Sequence, residues 1–91
     1  MPNIIDLSEH GHPTAQLFGE RLKERRRALG LTQAQVFEHT GITAAYISLV
    51  ERGQANPTLD MMVKLAEAVG AEAWDMIRPP SPPTPESVQN R

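Results

Sequence analysis

A cluster of cationic side chains is the first group of residues whose types and spacing could do chemistry. Five of the nine Lys and Arg residues fall within seven consecutive positions, namely Arg21, Lys23, Arg25, Arg26 and Arg27. Such clusters neutralise the phosphates of nucleic acids. The formal net charge of the 91-residue chain is -2, but the acidic residues are spread along it. The average therefore conceals a local basic patch, which is either a phosphate-binding surface or a solvated helix face.

Residues suited to metal binding or catalysis form no such group. The chain has no cysteine, and no paired carboxylates stand at ligand spacing from its three histidines, His10, His12 and His39. Ser48 has no histidine near it in the sequence, and so short a chain offers little room for a catalytic pocket. We therefore expect no metal, no cofactor, no small-molecule effector and no enzyme activity.

Breaks in composition divide the chain into three parts. Residues 1–13 combine a short apolar run, Ile4, Ile5 and Leu7, with a helix-breaking His-Gly-His-Pro segment, and are expected to form a flexible arm. Residues 79–91 form a Pro-rich tail that cannot continue a helix and is expected to be disordered. Residues 14–78 are left as a single folded domain.

Apolar periodicity and end signals predict five short helices in residues 14–78, and hence a compact all-α fold. The expected N-caps are Thr14, Thr32, Thr43 and Thr58, and the glycines that end helices are Gly30, Gly41 and Gly70. The residues expected to face inward on the first, fourth and fifth helices are Leu17, Phe18, Leu22, Leu29, Leu59, Met62, Leu65, Ala66, Val69, Trp74, Met76 and Ile77.

The connection between the second and third predicted helices is only residues 40–43 long. A glycine-containing turn of three to four residues sets two helices steeply across one another, as in a helix-turn-helix. Gly41 can adopt a positive φ, and Ile42 can enter the core. Ile47 and Val50 lie three apart and hold the third helix down, which leaves its other face free. The residues expected on that free face are Ala44, Ala45, Ser48 and Leu49.

Five short motifs around this turn occur in a specific order and spacing. They are Leu31-Thr32-Gln33, Gly41-Ile42-Thr43, Tyr46-Ile47-Ser48, Glu51-Arg52-Gly53 and Asn56-Pro57-Thr58-Leu59. In these motifs the chain resembles the Xre family, which includes the lambdoid phage repressors and Cro proteins. The resemblance covers about residues 15–78. It implies a lambda-repressor-like domain whose second and third helices form the helix-turn-helix, with the third helix in the major groove of double-stranded DNA.

The resemblance also implies roles for individual residues. The positions where relatives read bases hold Thr43, Ala44, Ala45, Ser48 and Leu49. Those that touch the sugar-phosphate backbone hold Gln33, Tyr46, Arg52, Gln54 and Asn56, and Arg25 and Arg27 are further candidates for phosphate contacts. Arg26 and Glu51 match a pair of positions where phage repressors bury an ion pair between the first and third helices.

Two features depart from the family's usual residues. Phe37 stands where alanine is usual, so either the two helices cross at a wider distance or the ring turns outward. Ala44, Ala45 and Leu49 replace polar residues that commonly bind bases. Alanine and leucine can pack against thymine methyl groups, and DNA shape can supply further specificity. We therefore expect a thymine-containing half-site with substantial indirect readout.

A single module of this size covers little DNA, which favours a homodimer on a palindromic operator. The subunit contact is expected at Trp74, Met76 and Ile77, with a possible addition from residues 4–7. The leading function is a dimeric transcriptional repressor.

Two alternatives remain open from the sequence. The first is the antitoxin of a toxin-antitoxin pair, which would bind a toxin protein and regulate its own operon. The second is a helix-turn-helix used only as a scaffold, since residues 14–78 carry eight basic and eight acidic residues. No apolar run is long enough to cross a membrane, so a cytoplasmic location is expected.

Overall fold

Five short helices form the part of the chain, residues 12–80, that the computed structural model describes. They are α1 (Pro13–Ala28), α2 (Gln33–Thr40), α3 (Ala44–Glu51), α4 (Leu59–Ala68) and α5 (Ala73–Ile77). Residues 12–80 contain no strand, and the predicted all-α class is confirmed. The expectations for the apolar run of residues 4–7, for His10 and for the tail beyond Pro80 lie outside the described residues.

Threonine caps begin three of the helices as the sequence predicts. Thr32, Thr43 and Thr58 each accept a hydrogen bond from the backbone amide three residues later. The prediction for Thr14 is wrong, because α1 begins at Pro13, two residues before the start at Ala15 that a Thr14 cap implies. His12 is the N-cap, and its Nδ1 accepts from the amide of Thr14 at 3.0 Å. Pro13 is tolerated there because the first helical position needs no N–H donor.

The core is a single apolar cluster to which all five helices or their connections contribute. Its buried members are Phe18, Leu22, Val36, Ile42, Ile47, Val50, Leu65, Ala66, Val69 and Met76. Three predicted core residues are instead exposed: Leu29 by 55%, Leu59 by 76% and Trp74 by 61%. Leu29 follows the end of α1, and Leu59 is the first residue of α4. Helical periodicity assigns a face but cannot say where the opposing surface stops.

Helix α3 lies directly against α1. Gly19 is buried in α1, and a Cβ atom at this position would collide with the carbonyl oxygen of Val50 in α3. Gly53, just after α3, lies against the side chain of Gln16. Only the absence of a side chain at Gly19 lets the backbones of α1 and α3 approach so closely, so the position of α3 depends on that glycine.

A buried salt bridge joins α1 to α3 beside this contact, at Glu51, the residue that follows Val50. Arg26 donates from Nε to Oε2 of Glu51 at 2.6 Å and from Nη2 to Oε1 at 2.9 Å, while its Nη1 donates to the carbonyl of Leu31 at 2.9 Å. Gln33 donates from Nε2 to Oε1 of Glu51 at 3.0 Å. The hydrogen bond with Glu51 raises the pKa of Arg26 against the opposing effect of burial. Arg26 and Glu51 together thereby connect four segments: α1, the α1–α2 turn, α2 and α3.

Removing Glu51 tests the structural weight of this salt bridge. We expect Glu51→Ala to lower the free energy of unfolding by about 3 to 5 kcal/mol, because it leaves a buried guanidinium unpaired. Arg26→Met combined with Glu51→Leu removes both charges and is expected to cost much less. Urea denaturation followed by circular dichroism measures both values. Arg27→Met, at an exposed neighbouring position, is the control, with an expected change within about 0.5 kcal/mol. A Glu51→Ala effect no larger than the control's would contradict a structural role.

Candidate nucleic-acid interface

The turn between α2 and α3 is held by local hydrogen bonds. Gly41 ends α2 with a φ of 76°, and its amide donates to the carbonyl of Phe37 at 2.7 Å. The hydroxyl of Thr40 donates to the carbonyl of Val36 at 2.8 Å and accepts from the amide of Ile42 at 3.0 Å. Ile42 is buried, so the turn is anchored in the core as the sequence predicts. These contacts fix the crossing of α2 and α3.

The five candidate base-reading residues lie at the start and on the outer side of α3. Ile47 and Val50 face the core, whereas Thr43 and Ala45 are exposed and Ala44, Ser48 and Leu49 are partly exposed. The hydroxyl of Thr43 already accepts from the amide of Tyr46 at 3.2 Å. It therefore caps α3 and keeps its own proton to donate. The outer surface of α3 is made of small and apolar groups. Ser48 adds one hydroxyl that, unlike the hydroxyl of Thr43, does not cap the helix.

Gln33 begins α2 and has a fixed side-chain orientation. A carboxylate can only accept, so the Nε2 of Gln33 must face Glu51, and its Oε1 points away from that contact. One hydrogen of Nε2 and the backbone amide of this first helical residue remain available to an anion. The candidate phosphate contact at Gln33 is therefore hydrogen-bonded to the buried salt bridge, whereas the two are treated as separate features in the sequence analysis.

The other candidate backbone contacts follow α3 or flank it. Arg52 is exposed, and its Nε donates to the carbonyl of Ser48 at 3.2 Å, so the side chain folds back along α3. Gln54 and Asn56 are exposed in the loop after α3. Tyr46 is partly buried and packs against the core cluster. Four of the backbone candidates thus lie on α3 or in the loop that follows it.

Arg25 and Arg27 lie on different sides of α1. Two residues along a helix are about 200° apart, so both side chains cannot point the same way. Arg25 donates to the carbonyl of Gly70 at 3.3 Å, beyond the end of α4, whereas Arg27 is exposed. The structure therefore does not bring Arg25 to α3. The helical repeat alone could have separated the two residues.

Phe37 and the expected dimer residues complete the set. The ring of Phe37 is exposed, which agrees with the outward orientation.

Met76 is fully buried and has no surface to offer a second chain, so its expected place in a subunit contact is corrected. Trp74 is exposed and Ile77 is partly exposed. Sequence reasoning missed the exposed Leu59 and Val63, which lie four apart on α4 and therefore share a face.

Two further properties concern residues 12–80 alone. No group of three or more His, Asp or Glu side chains within this range is placed to hold a metal ion. None of the five helices is both long enough and apolar enough to cross a membrane.

Comparison with known proteins identifies the fold family. A family model described as helix-turn-helix matches residues 22–73. The HTH-type transcriptional regulator y4dJ of Sinorhizobium fredii is 36% identical over 64 residues, which span 70% of this chain and 83% of that protein. The cryptic phage CTXphi transcriptional repressor RstR of Vibrio cholerae is 38% identical over 50 residues, or 55% of this chain and 45% of RstR.

Two solved structures share the arrangement of helices. The restriction-modification controller protein C.AhdI of Aeromonas hydrophila superimposes with a TM-score of 0.66 and 37% identity, over 71% of this chain and 98% of that one. The hypothetical transcription factor NHTF of Neisseria, at 24% identity, matches 88% of each chain with a TM-score of 0.69 and so supports the fold alone. The relatives are transcriptional regulators, not enzymes. This chain therefore belongs to the helix-turn-helix regulators of the Xre, or lambda-repressor-like, family.

Proposed function

We propose that this chain is a transcriptional repressor that binds double-stranded DNA as a homodimer and inserts α3 into the major groove of a palindromic operator. The observation that carries the proposal is the outer surface of α3, where small side chains are exposed or partly exposed, together with the contact of Gln33 at the start of α2 with the end of α3. Ala44, Ala45 and Ser48 are short enough for the helix backbone to approach the floor of the groove closely. Gln33, at the start of α2, faces the flanking phosphates.

One relative favours repression over activation, because RstR is a phage transcriptional repressor by name. A short chain can repress simply by occupying a promoter, which needs a DNA-binding surface and enough affinity. No contact within residues 12–80 favours the toxin-binding alternative over this function.

DNA binding is tested by fluorescence anisotropy with the promoter region of the protein's own gene. We expect binding at about 50 mM KCl that weakens steeply by about 200 mM, because bound phosphates release counterions. Ala45→Glu places a carboxylate on the exposed side of α3 and is expected to weaken binding at least about 100-fold through repulsion of the DNA. Ala28→Glu, exposed at the end of α1, is the control with equal charge. Absence of wild-type binding at about 50 mM KCl would refute the proposal.

Thymine methyl groups are the proposed targets of the apolar side chains of α3. Ala44, Ala45 and Leu49 cannot hydrogen-bond to bases, but their methyl groups can pack against the C5 methyl of thymine. This contact deepens the proposal by naming the chemical group that α3 recognises. The hydroxyl of Ser48 adds one adaptable hydrogen bond.

Replacing operator thymines with uracils tests this readout. Each contacted thymine that is replaced is expected to weaken binding about fourfold, since one methyl group is worth about 0.8 kcal/mol when buried. Anisotropy titrations of the substituted operators give the ratios. Uracils placed outside the half-sites serve as the control and should leave the affinity unchanged. Equal affinity for fully substituted and unsubstituted half-sites rules out methyl contacts.

The subunit contact is proposed on the exposed apolar residues of α4 and α5. Leu59 and Val63 share one face of α4, and Trp74 is the largest exposed apolar side chain in residues 12–80. Exposed residues of this size are favourable anchors in a protein interface. Two copies are needed because one module buries only about 600 to 1,000 Å² on DNA.

Self-association is tested by sedimentation velocity. Trp74→Glu and Leu59→Glu each place a charge in the proposed contact, and we expect both to shift the protein from dimer to monomer and to weaken operator binding. Leu29→Glu is the control, because Leu29 is also an exposed leucine but lies beyond the end of α1. An unchanged dimer in both variants would place the contact elsewhere.

A further inference from the structure

The cationic cluster of α1 is divided by the structure into groups with different partners. Arg26 is buried against Glu51. Arg21 donates from Nη1 to the carbonyls of Asp75 at 3.0 Å and Arg78 at 2.6 Å, and Arg25 donates to the carbonyl of Gly70. These three guanidinium groups thus form hydrogen bonds within the fold. Lys23 and Arg27 are the two members of the cluster that are left to consider.

Lys23 and Arg27 lie four residues apart and form one side of α1, which we call the basic edge. Gln16 is seven residues before Lys23 and lies on the same side. Its side chain meets Gly53, immediately after α3. Arg26, next to Arg27, reaches Glu51 at the end of α3 and the carbonyl of Leu31 just before α2. The basic edge therefore borders the end of α3 and the start of α2.

The basic edge has unused charge. Within residues 12–80, neither Lys23 nor Arg27 has a hydrogen bond or salt bridge from its side chain. Of the nearby carboxylates, Glu24 lies three residues before Arg27 and lines a cleft with Arg21 and Arg25, and it forms no ion pair with Arg27. Glu20 is exposed on the same side of α1, three residues before Lys23, and pairs with neither cation. Two cations thus stand beside the proposed DNA surface with no internal partner.

We infer that the basic edge is a second phosphate-binding surface, which extends the DNA contact from the helix-turn-helix onto α1. Lys23 and Arg27 bind backbone phosphates next to the one that faces Gln33, and they read no bases. The inference rests on the proposed function, because its ligand is the same DNA. It also assigns Lys23 to the interface and removes Arg25 from it.

Charge-neutralising variants test the basic edge. Lys23→Gln and Arg27→Gln, alone and together, are compared with Arg25→Gln, which makes the same charge change on the opposite side of the same helix. Anisotropy titrations from about 50 to 200 mM KCl give the slope of log K against log salt. We expect the slope to become shallower by about 0.9 for each phosphate that is no longer neutralised, or about 1.8 per substitution in a dimer. The ratio of operator to scrambled-DNA affinity should stay at the wild-type value.

The outcomes separate the two proposals. Arg25→Gln should keep the wild-type slope, and thermal unfolding should show that all variants are folded. If wild-type binding is steeply salt-dependent but the double variant keeps the wild-type slope, the basic edge is overturned and the proposed function stands. An Arg25→Gln slope as shallow as that of Lys23→Gln would also overturn it, since net charge alone would then explain the effect. A wild-type protein that binds no DNA overturns both proposals.

Discussion

The contact between α1 and α3 is the constraint on which the rest of the structure depends. Gly19 lets the two backbones touch at Val50, and about two turns further along α1 Arg26 joins Glu51, the next residue of α3, by two hydrogen bonds. A guanidinium and a carboxylate in this fork geometry resist sliding and rotation together. Since the same carboxylate accepts from Gln33, the start of α2 is set by the same contact. The orientation of the helix-turn-helix is therefore decided in the core.

This arrangement separates two demands on α3 that would otherwise compete. Its inner side supplies Ile47 and Val50 to the core, and its last residue supplies the buried charge. Its outer side supplies no residue to the core, so Ala45 and Ser48 can be replaced without disturbing the packing of α3. The polar groups that hold the helix in place, Thr43 and Glu51, lie at its two ends, whereas Ala45 and Ser48 lie between them on the outer side.

Local signals in the sequence predict more of this structure than long-range ones. The caps at Thr32, Thr43 and Thr58 and the stop at Gly41 depend on residues within one turn, and each occurs where the sequence places it. Thr14 fails because His12 can cap as well, and Leu59 fails because its exposure depends on where a distant surface ends. The coupling of Gln33 to Glu51 spans 18 residues, and only the fold brings that pair together.

Helix α1 also holds α5 in place, because Arg21 donates hydrogen bonds to the carbonyls of Asp75 and Arg78. One edge of this helix thus locates α3, and the opposite edge locates α5, with only about 10 Å of helix diameter between them. If two chains meet through α5, as proposed, α1 alone sets the distance between the two copies of α3. Because a single helix is rigid, this distance can change little. The dimer should therefore reject operators whose half-sites are one base pair too close together or too far apart.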